Sequence, residues 1–224
     1  MKIKALLIAI FIPLLSISAQ NWQFKVGLGW ANLEPGTDAV GSWSIGGGYE
    51  WEFNQHWTIL TSLQYAGRGW ELPNESVLQK DNAGNPIVNP ETGEPLYGWK
   101  NTSATAYYLE LPILLNYYHR VGERKYVVAS AGPYIGLGVG GKIKVKGDTD
   151  QEGANRLYYD QSTFSAPHTH RFDVGARVAL GFQFANNITT TVELSHGLTK
   201  TAHNARNTSL TLNFAYTFKA GSIN

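Results

Sequence analysis

The chain has 224 residues, no cysteine, and 18 Lys and Arg against 17 Asp and Glu. The missing cysteines exclude a disulfide framework, a thiolate metal site and lipid attachment at a leader-cleavage cysteine. So balanced a charge leaves no basic field for nucleic acid, and no nucleic-acid partner is expected.

The chain opens MKIKALLIAIFIPLLSISAQN. Lys2 and Lys4 form a positive start, Ala5 to Leu15 a short apolar run, and Ser16-Ile17-Ser18-Ala19 a small-residue cleavage site. This pattern predicts a signal peptide over 1–19, cut after Ala19, with a single domain over 20–224. The apolar run falls short of the roughly 20 residues that a membrane helix needs. Without Lys2 and Lys4, 16 basic residues face 17 acidic ones. After the leader no apolar run approaches membrane-helix length, so a helical membrane protein is excluded.

Period-two alternation then recurs eight times. In each case apolar residues occupy one face, and small, polar or charged residues the other. The strands expected are about Trp22 to Ala31, Ser42 to Phe53, Trp57 to Trp70, Ala104 to His119 and Tyr126 to Lys142. Two more lie in RFDVGARVALGFQFANNITTTVELSHGLT (171–199), joined by a tight Asn186-Asn187 turn. The last spans about Asn207 to Lys219.

The connections sort by parity. After the second, fourth and sixth strands they are short: Asn54-Gln55-His56, Arg120 to Lys125, and Asn186-Asn187. The others are longer. Two stand out, Glu71 to Ser103 and about Ile143 to His170. The first is rich in Pro and Asn-Gly-type turn signals and reads as a loop, not a second domain. Short turns on one side and long loops on the other mark an outer-membrane barrel, with periplasmic turns and extracellular loops. The fold expected is all-β: an eight-stranded antiparallel up-and-down transmembrane β-barrel with both termini in the periplasm. The chain is placed in the outer membrane of a Gram-negative bacterium. It meets outer-membrane lipid there, after insertion by the barrel-assembly machinery. In that setting the Asn-x-Ser/Thr triplets at Asn74, Asn101, Asn187 and Asn207 carry no glycan signal.

The apolar faces then meet lipid and the polar faces line the lumen. Aromatic residues should form two interface girdles. Trp22, Trp51, Phe53, Trp57, Tyr117, Phe184 and Phe218 lie near the short turns, and Trp30, Trp43, Tyr65, Tyr107 and Phe172 near the long loops. The inward charges are Lys25, Glu50, Glu52, Arg68, Glu110, Asp173, Arg177 and Glu193, set among inward glycines. Side chains just fill an eight-stranded barrel, and charges within it must pair. The expected pairs are Arg177 with Glu193, with Glu110 as third member; Lys25 with Glu50 or Glu52; and Arg68 with Asp173. Such a network is either a structural plug or a gate or proton path.

Several segments resemble a known family. They are LQYAGRGWE (63–71), YYLELPILLNYY (107–118) with Pro112 inside a strand, AGPYIGLGVGGK (131–142), FDVGARVALGFQF (172–184), ELSHGLTK, and a final strand ending FAYTF. The chain is similar to the porin-family outer-membrane β-barrel proteins that include the PorT-type barrels. That resemblance implies the barrel fold and brings no catalytic motif.

For activity, four readings follow. They are a structural barrel contacting a protein partner through its extracellular loops, a secretion-machine component of PorT type, a narrow channel, and a lipid A-modifying enzyme. In the loop, Ile87, Leu96, Tyr97 and Trp99 are candidates for a partner surface. An enzyme would draw on Glu193, Ser195, His196 and His203, but alternation sends Ser195 inward and His196 outward. No catalytic residue, metal or cofactor is therefore expected. His168 and His170 lack a visible third ligand. Asp81 to Asn85 lacks the acidic spacing of a calcium loop. Diffusion porins need wider barrels of around 16 strands.

Overall fold

The computed structural model describes residues 20–81, 83–148, 156–166, 169–202 and 204–219. The expected signal peptide, residues 1–19, lies outside them. Among the described residues ten strands form: β1 (Gln20–Glu34), β2 (Val40–Glu52), β3 (Trp57–Glu71), β4 (Glu75–Leu78), β5 (Tyr97–Gly122), β6 (Lys125–Gly147), β7 (Arg156–Ser162), β8 (Phe172–Gln183), β9 (Ile188–Gly197) and β10 (Arg206–Lys219).

Eight of them close a ring. The order is β1-β2-β3-β5-β6-β8-β9-β10, with every neighbouring pair antiparallel. Closure comes from β1 and β10, which pair from Asn21↔Lys219 to Glu34↔Arg206. A closed ring leaves no backbone edge exposed to hydrocarbon.

Burial alternates along each strand as the period requires. In β1, Trp22, Phe24, Val26, Leu28 and Trp30 are exposed, while Asn21, Gln23 and Lys25 are buried. The same split runs through Ile113 and Leu115 against Leu114 and Asn116 in β5, and Val178 and Leu180 against Arg177 in β8. Exposed here means facing lipid. Girdle residues pair across strands, as Trp57 does with Tyr117 at 4.8 Å between ring centroids.

One short connection is tighter than its sequence suggests, while the other two, 53–56 and 184–187, are slightly longer. Strand β5 continues to Gly122 and β6 begins at Lys125. The turn between them is thus Glu123-Arg124, with Arg124 at φ 51°, instead of the stretch Arg120 to Lys125. Asn187 takes the left-handed conformation (φ 64°) in the Asn-Asn turn, which asparagine tolerates well.

The long connections differ more from expectation. Much of both expected loops is sheet. Strand β5 starts at Tyr97, and β4 pairs with its first residues, Glu75↔Lys100 to Leu78↔Tyr97. The bridges Lys80↔Pro86 and Val88↔Pro95 continue the hairpin outward. Strand β6 runs on to Gly147, and β7 pairs with that extension. A strand crosses the hydrocarbon in about 9–11 residues. With 26 and 23 residues, β5 and β6 therefore stand well clear of the membrane.

At the hairpin tip Asp81 serves a turn. Its Oδ1 accepts the amides of Ala83 at 2.9 Å and Asn85 at 2.8 Å. The Asn85 amide foremost holds the Asp81 carboxyl below the usual carboxylate range. A lowered folded-state value stabilises the turn above the ordinary aspartate pKa. That contribution fades as pH falls through the lowered value. Amide exchange at Asn85 should stay protected down to the ordinary value of about 3.9 and lose protection below it. Loss of protection well above that value would contradict the assignment, and Asp81→Ala should remove protection at every pH.

Candidate functional site

The inward faces bring six charged side chains into one chain of alternating sign. Lys25 Nζ lies 2.8 Å from Glu193 Oε2. Glu193 Oε1 lies 3.3 Å from Arg177 Nη1. Arg177 Nη2 contacts Glu110 Oε2. Glu110 Oε1 lies 2.7 Å from Arg68 Nη2, and Arg68 Nη1 lies 3.5 Å from Asp173 Oδ2. Three cations thus meet three carboxylates. All six are buried, Glu110 to 1% exposure and Asp173 to 0%.

Neutral groups complete the network. Gln64 Oε1 accepts from Arg177 Nη1 at 2.8 Å. Asp173 accepts from Tyr134 Oη, Asn207 Nδ2 and Thr199 Oγ1, each at 3.0 Å. The Tyr134 ring lies under Arg177 Cζ at 4.8 Å and under Arg68 Cζ at 5.4 Å, within cation–π range. Glycine makes this possible. Gly136 stands opposite both Glu110 and Asp173, and the Arg68 guanidinium bridges the two carboxylates. A Cβ on Gly175 would sit 2.5 Å from the Tyr134 ring.

The expected Arg177–Glu193, Arg177–Glu110 and Arg68–Asp173 contacts all lie within this chain. Lys25 does not meet Glu50 or Glu52. The β1–β2 register sets Lys25 against Gly46 and Glu50 against Asn21, four residues nearer the periplasm, so the long Lys25 stem turns to Glu193. Glu50 is held by neutral donors instead: Thr58 Oγ1 and Tyr118 Oη at 2.6 Å, and Asn116 Nδ2 at 2.9 Å. Glu52 accepts from Asn21 Nδ2 at 2.7 Å.

The lumen is unequal along its axis. At the periplasmic mouth a cavity of about 360 Å³ is lined by Glu50, Glu52, His56 and Tyr118. Within the charged belt the cavities are only about 20 and 30 Å³, room for single water molecules. Above the belt an apolar cluster of Leu33, Trp70, Ala104, Ala106, Tyr108 and Ile143 fills the outer end. Phe164, from a short 3-10 helix (Thr163–Ser165), packs edge-on against Tyr108 at 5.7 Å. It fits because residue 138 is glycine: a Cβ there would stand 2.2 Å from the Phe164 ring.

The other candidates are separate. Ser195 Oγ is inside and accepts from Arg68 Nη2 at 3.4 Å. His196 is on the opposite face, with Nδ1 2.9 Å from Thr208 Oγ1. His168 and His203 lie outside the described residues. Sequence reasoning collected charges and passed over Gln64, Tyr118, Tyr134 and Asn207. The signal for them was the same period-two register.

A closed eight-stranded ring, lipid-facing outside and charge-paired inside, defines a transmembrane β-barrel of the outer-membrane kind. The chain belongs to the family described as outer membrane protein beta-barrel domain, whose model matches residues 18–203. None of the curated proteins matches it. Among solved structures it is similar to neisserial surface protein A (NspA), at 13% identity and TM-score 0.46, over 89% of this chain and 97% of that one. It is also similar to Ail, the attachment invasion locus protein of Yersinia pestis, at 11% identity and TM-score 0.41, over 90% and 100%. The outer-membrane enzyme PagL is a third, at 11% identity and TM-score 0.39, over 87% and 98%.

Removing one member of a buried ion chain strands its partners. Arg177→Met should lower the unfolding free energy of the refolded protein by about 3–5 kcal/mol, read from urea titrations in lipid vesicles. Lys200→Met, on an exposed side chain, should change it by less than about 0.5 kcal/mol.

Proposed function

We propose that this outer-membrane barrel is a closed, structural anchor that acts through the sheet it displays outside the membrane. The observation that carries the reading is the unbroken ion chain beneath an apolar outer cap. A lumen so filled has no use as a path, whereas the extensions of β5 and β6, with β4 and β7 paired on them, build a platform. Tyr97, exposed to 66%, with Val88 and Leu96, offers a protein partner apolar contacts there. Export by a leader cut after Ala19 and insertion by the barrel-assembly machinery belong to this reading.

We read the chain as a non-enzyme. Supporting this, Ser195 and His196 face opposite sides of β9, so neither can serve the other as nucleophile and base. A role as a PorT-type secretion component uses the same displayed platform and is the second reading. A narrow channel would need the belt to open.

The test is conductance of the refolded protein in a planar bilayer, wild type beside Arg177→Ala. A silent membrane containing verified folded wild-type protein is expected. Steady openings that change in the variant would make the belt a gate and overturn the anchor reading.

A further inference from the structure

The outer wall of the barrel carries a trough just above the membrane that the lumen does not use. At its membrane end it adjoins an aromatic patch through Tyr107, which lines it. Trp43, Tyr65 and Tyr107 point outward from β2, β3 and β5, with ring centroids 5.4 Å (Trp43–Tyr65), 5.9 Å (Tyr65–Tyr107) and 6.3 Å (Trp43–Tyr107) apart. Gly67 lets the Trp43 ring lie flat on β3, since a Cβ there would stand 2.4 Å from Nε1. Farther from the membrane the outward side chains shrink to Gly41, Ser103, Thr105 and Gly140. A cavity of about 1080 Å³ opens over them.

The far wall is a ladder of Lys142, Lys144 and Lys146, all exposed. Alternate residues of a strand share a face about 7 Å apart. The ladder faces outward because β6 bulges at Val139. Tyr107 pairs with Gly140 but Tyr108 with Gly138. Below the bulge Ile135 and Leu137 face out. Above it the even-numbered lysines do, and Ile143 turns inward. Without that extra residue the three ammoniums would enter the lumen. They stand opposite Thr105, Ser103 and Asn101 on β5. Among the described residues on this wall, Asp160 lies 3.2 Å from Lys142 Nζ, and Glu71 accepts from Asn101 Nδ2 at 2.8 Å.

We propose that this trough binds a phosphorylated glycolipid of the outer leaflet. Its phosphate sits against Lys142, Lys144 and Lys146, and its sugar meets the hydroxyls of Ser103 and Thr105. Its acyl chains run down over Trp43, Tyr65 and Tyr107 onto the lipid-facing wall. A soluble anion would use the lysines alone. The glycolipid uses the lysines, the hydroxyls and the adjoining aromatic patch together, and through Tyr107 the trough is continuous with the surface where such a lipid already lies.

The test titrates the refolded full chain in detergent with bisphosphorylated lipid A, dephosphorylated lipid A, phosphatidylglycerol and inorganic phosphate, reading binding by native mass spectrometry. Wild type is set beside Lys142→Gln/Lys144→Gln/Lys146→Gln and a control, Lys80→Gln/Lys200→Gln. Folding of each is checked by its heat-modifiable gel mobility. Bisphosphorylated lipid A should bind wild type and control alike, and the triple variant at least about tenfold more weakly. Dephosphorylated lipid A should lose a comparable factor. Equal binding by the folded triple variant, or by dephosphorylated lipid A, would overturn the site. Phosphatidylglycerol or inorganic phosphate binding as tightly as lipid A would overturn its assignment to a glycolipid.

Discussion

A carboxylate or guanidinium inside an eight-stranded barrel has little water to turn to, and it is held there by the pleat of its strand. A charge on the inner wall must therefore find an opposite charge across a space only a few side chains wide, or a set of neutral donors as Glu50 does. The run Lys25–Glu193–Arg177–Glu110–Arg68–Asp173 meets that demand by strict alternation of sign. Each interior member of the run touches two neighbours of opposite charge. The run draws on β1, β3, β5, β8 and β9, so it ties together strands that share no hydrogen bonds.

The remaining features follow from that demand. Long side chains need room, and the inward glycines supply it opposite Glu110, Asp173 and the Tyr134 ring. The belt ends where charges give way to Trp70, Tyr108 and Ile143, and Gly138 admits Phe164 as the outermost packing element. Stability in a chain without disulfides then rests on a closed ladder outside and a paired belt inside. One irregularity serves the outside face: the bulge at Val139 lets β6 leave the lumen with its lysines pointing away from it.

Much of this was legible in the order of residues. Period two exposed all eight barrel strands, and it put every charge of the belt on the inward side. Three things stayed hidden. The extensions of β5 and β6 looked like loops, because Pro and Gly signals nearby outweighed a short continuing alternation in Tyr97 to Ser103 and in Ile143 to Gly147. The partner of Lys25 depends on how far strands on opposite sides of the ring are staggered, and no single strand encodes that. The facing of Lys144 and Lys146 turns on one bulged residue, which shifts the whole period by one.

Its strict alternation of sign makes the belt one coupled unit. A double-mutant cycle on Arg177→Met and Glu110→Gln, with unfolding free energies measured in lipid vesicles, tests it directly. A coupling energy of about 1–3 kcal/mol between the two sites is expected. A coupling indistinguishable from zero, with both variants folded, would mean that these charges sit side by side without holding the barrel together.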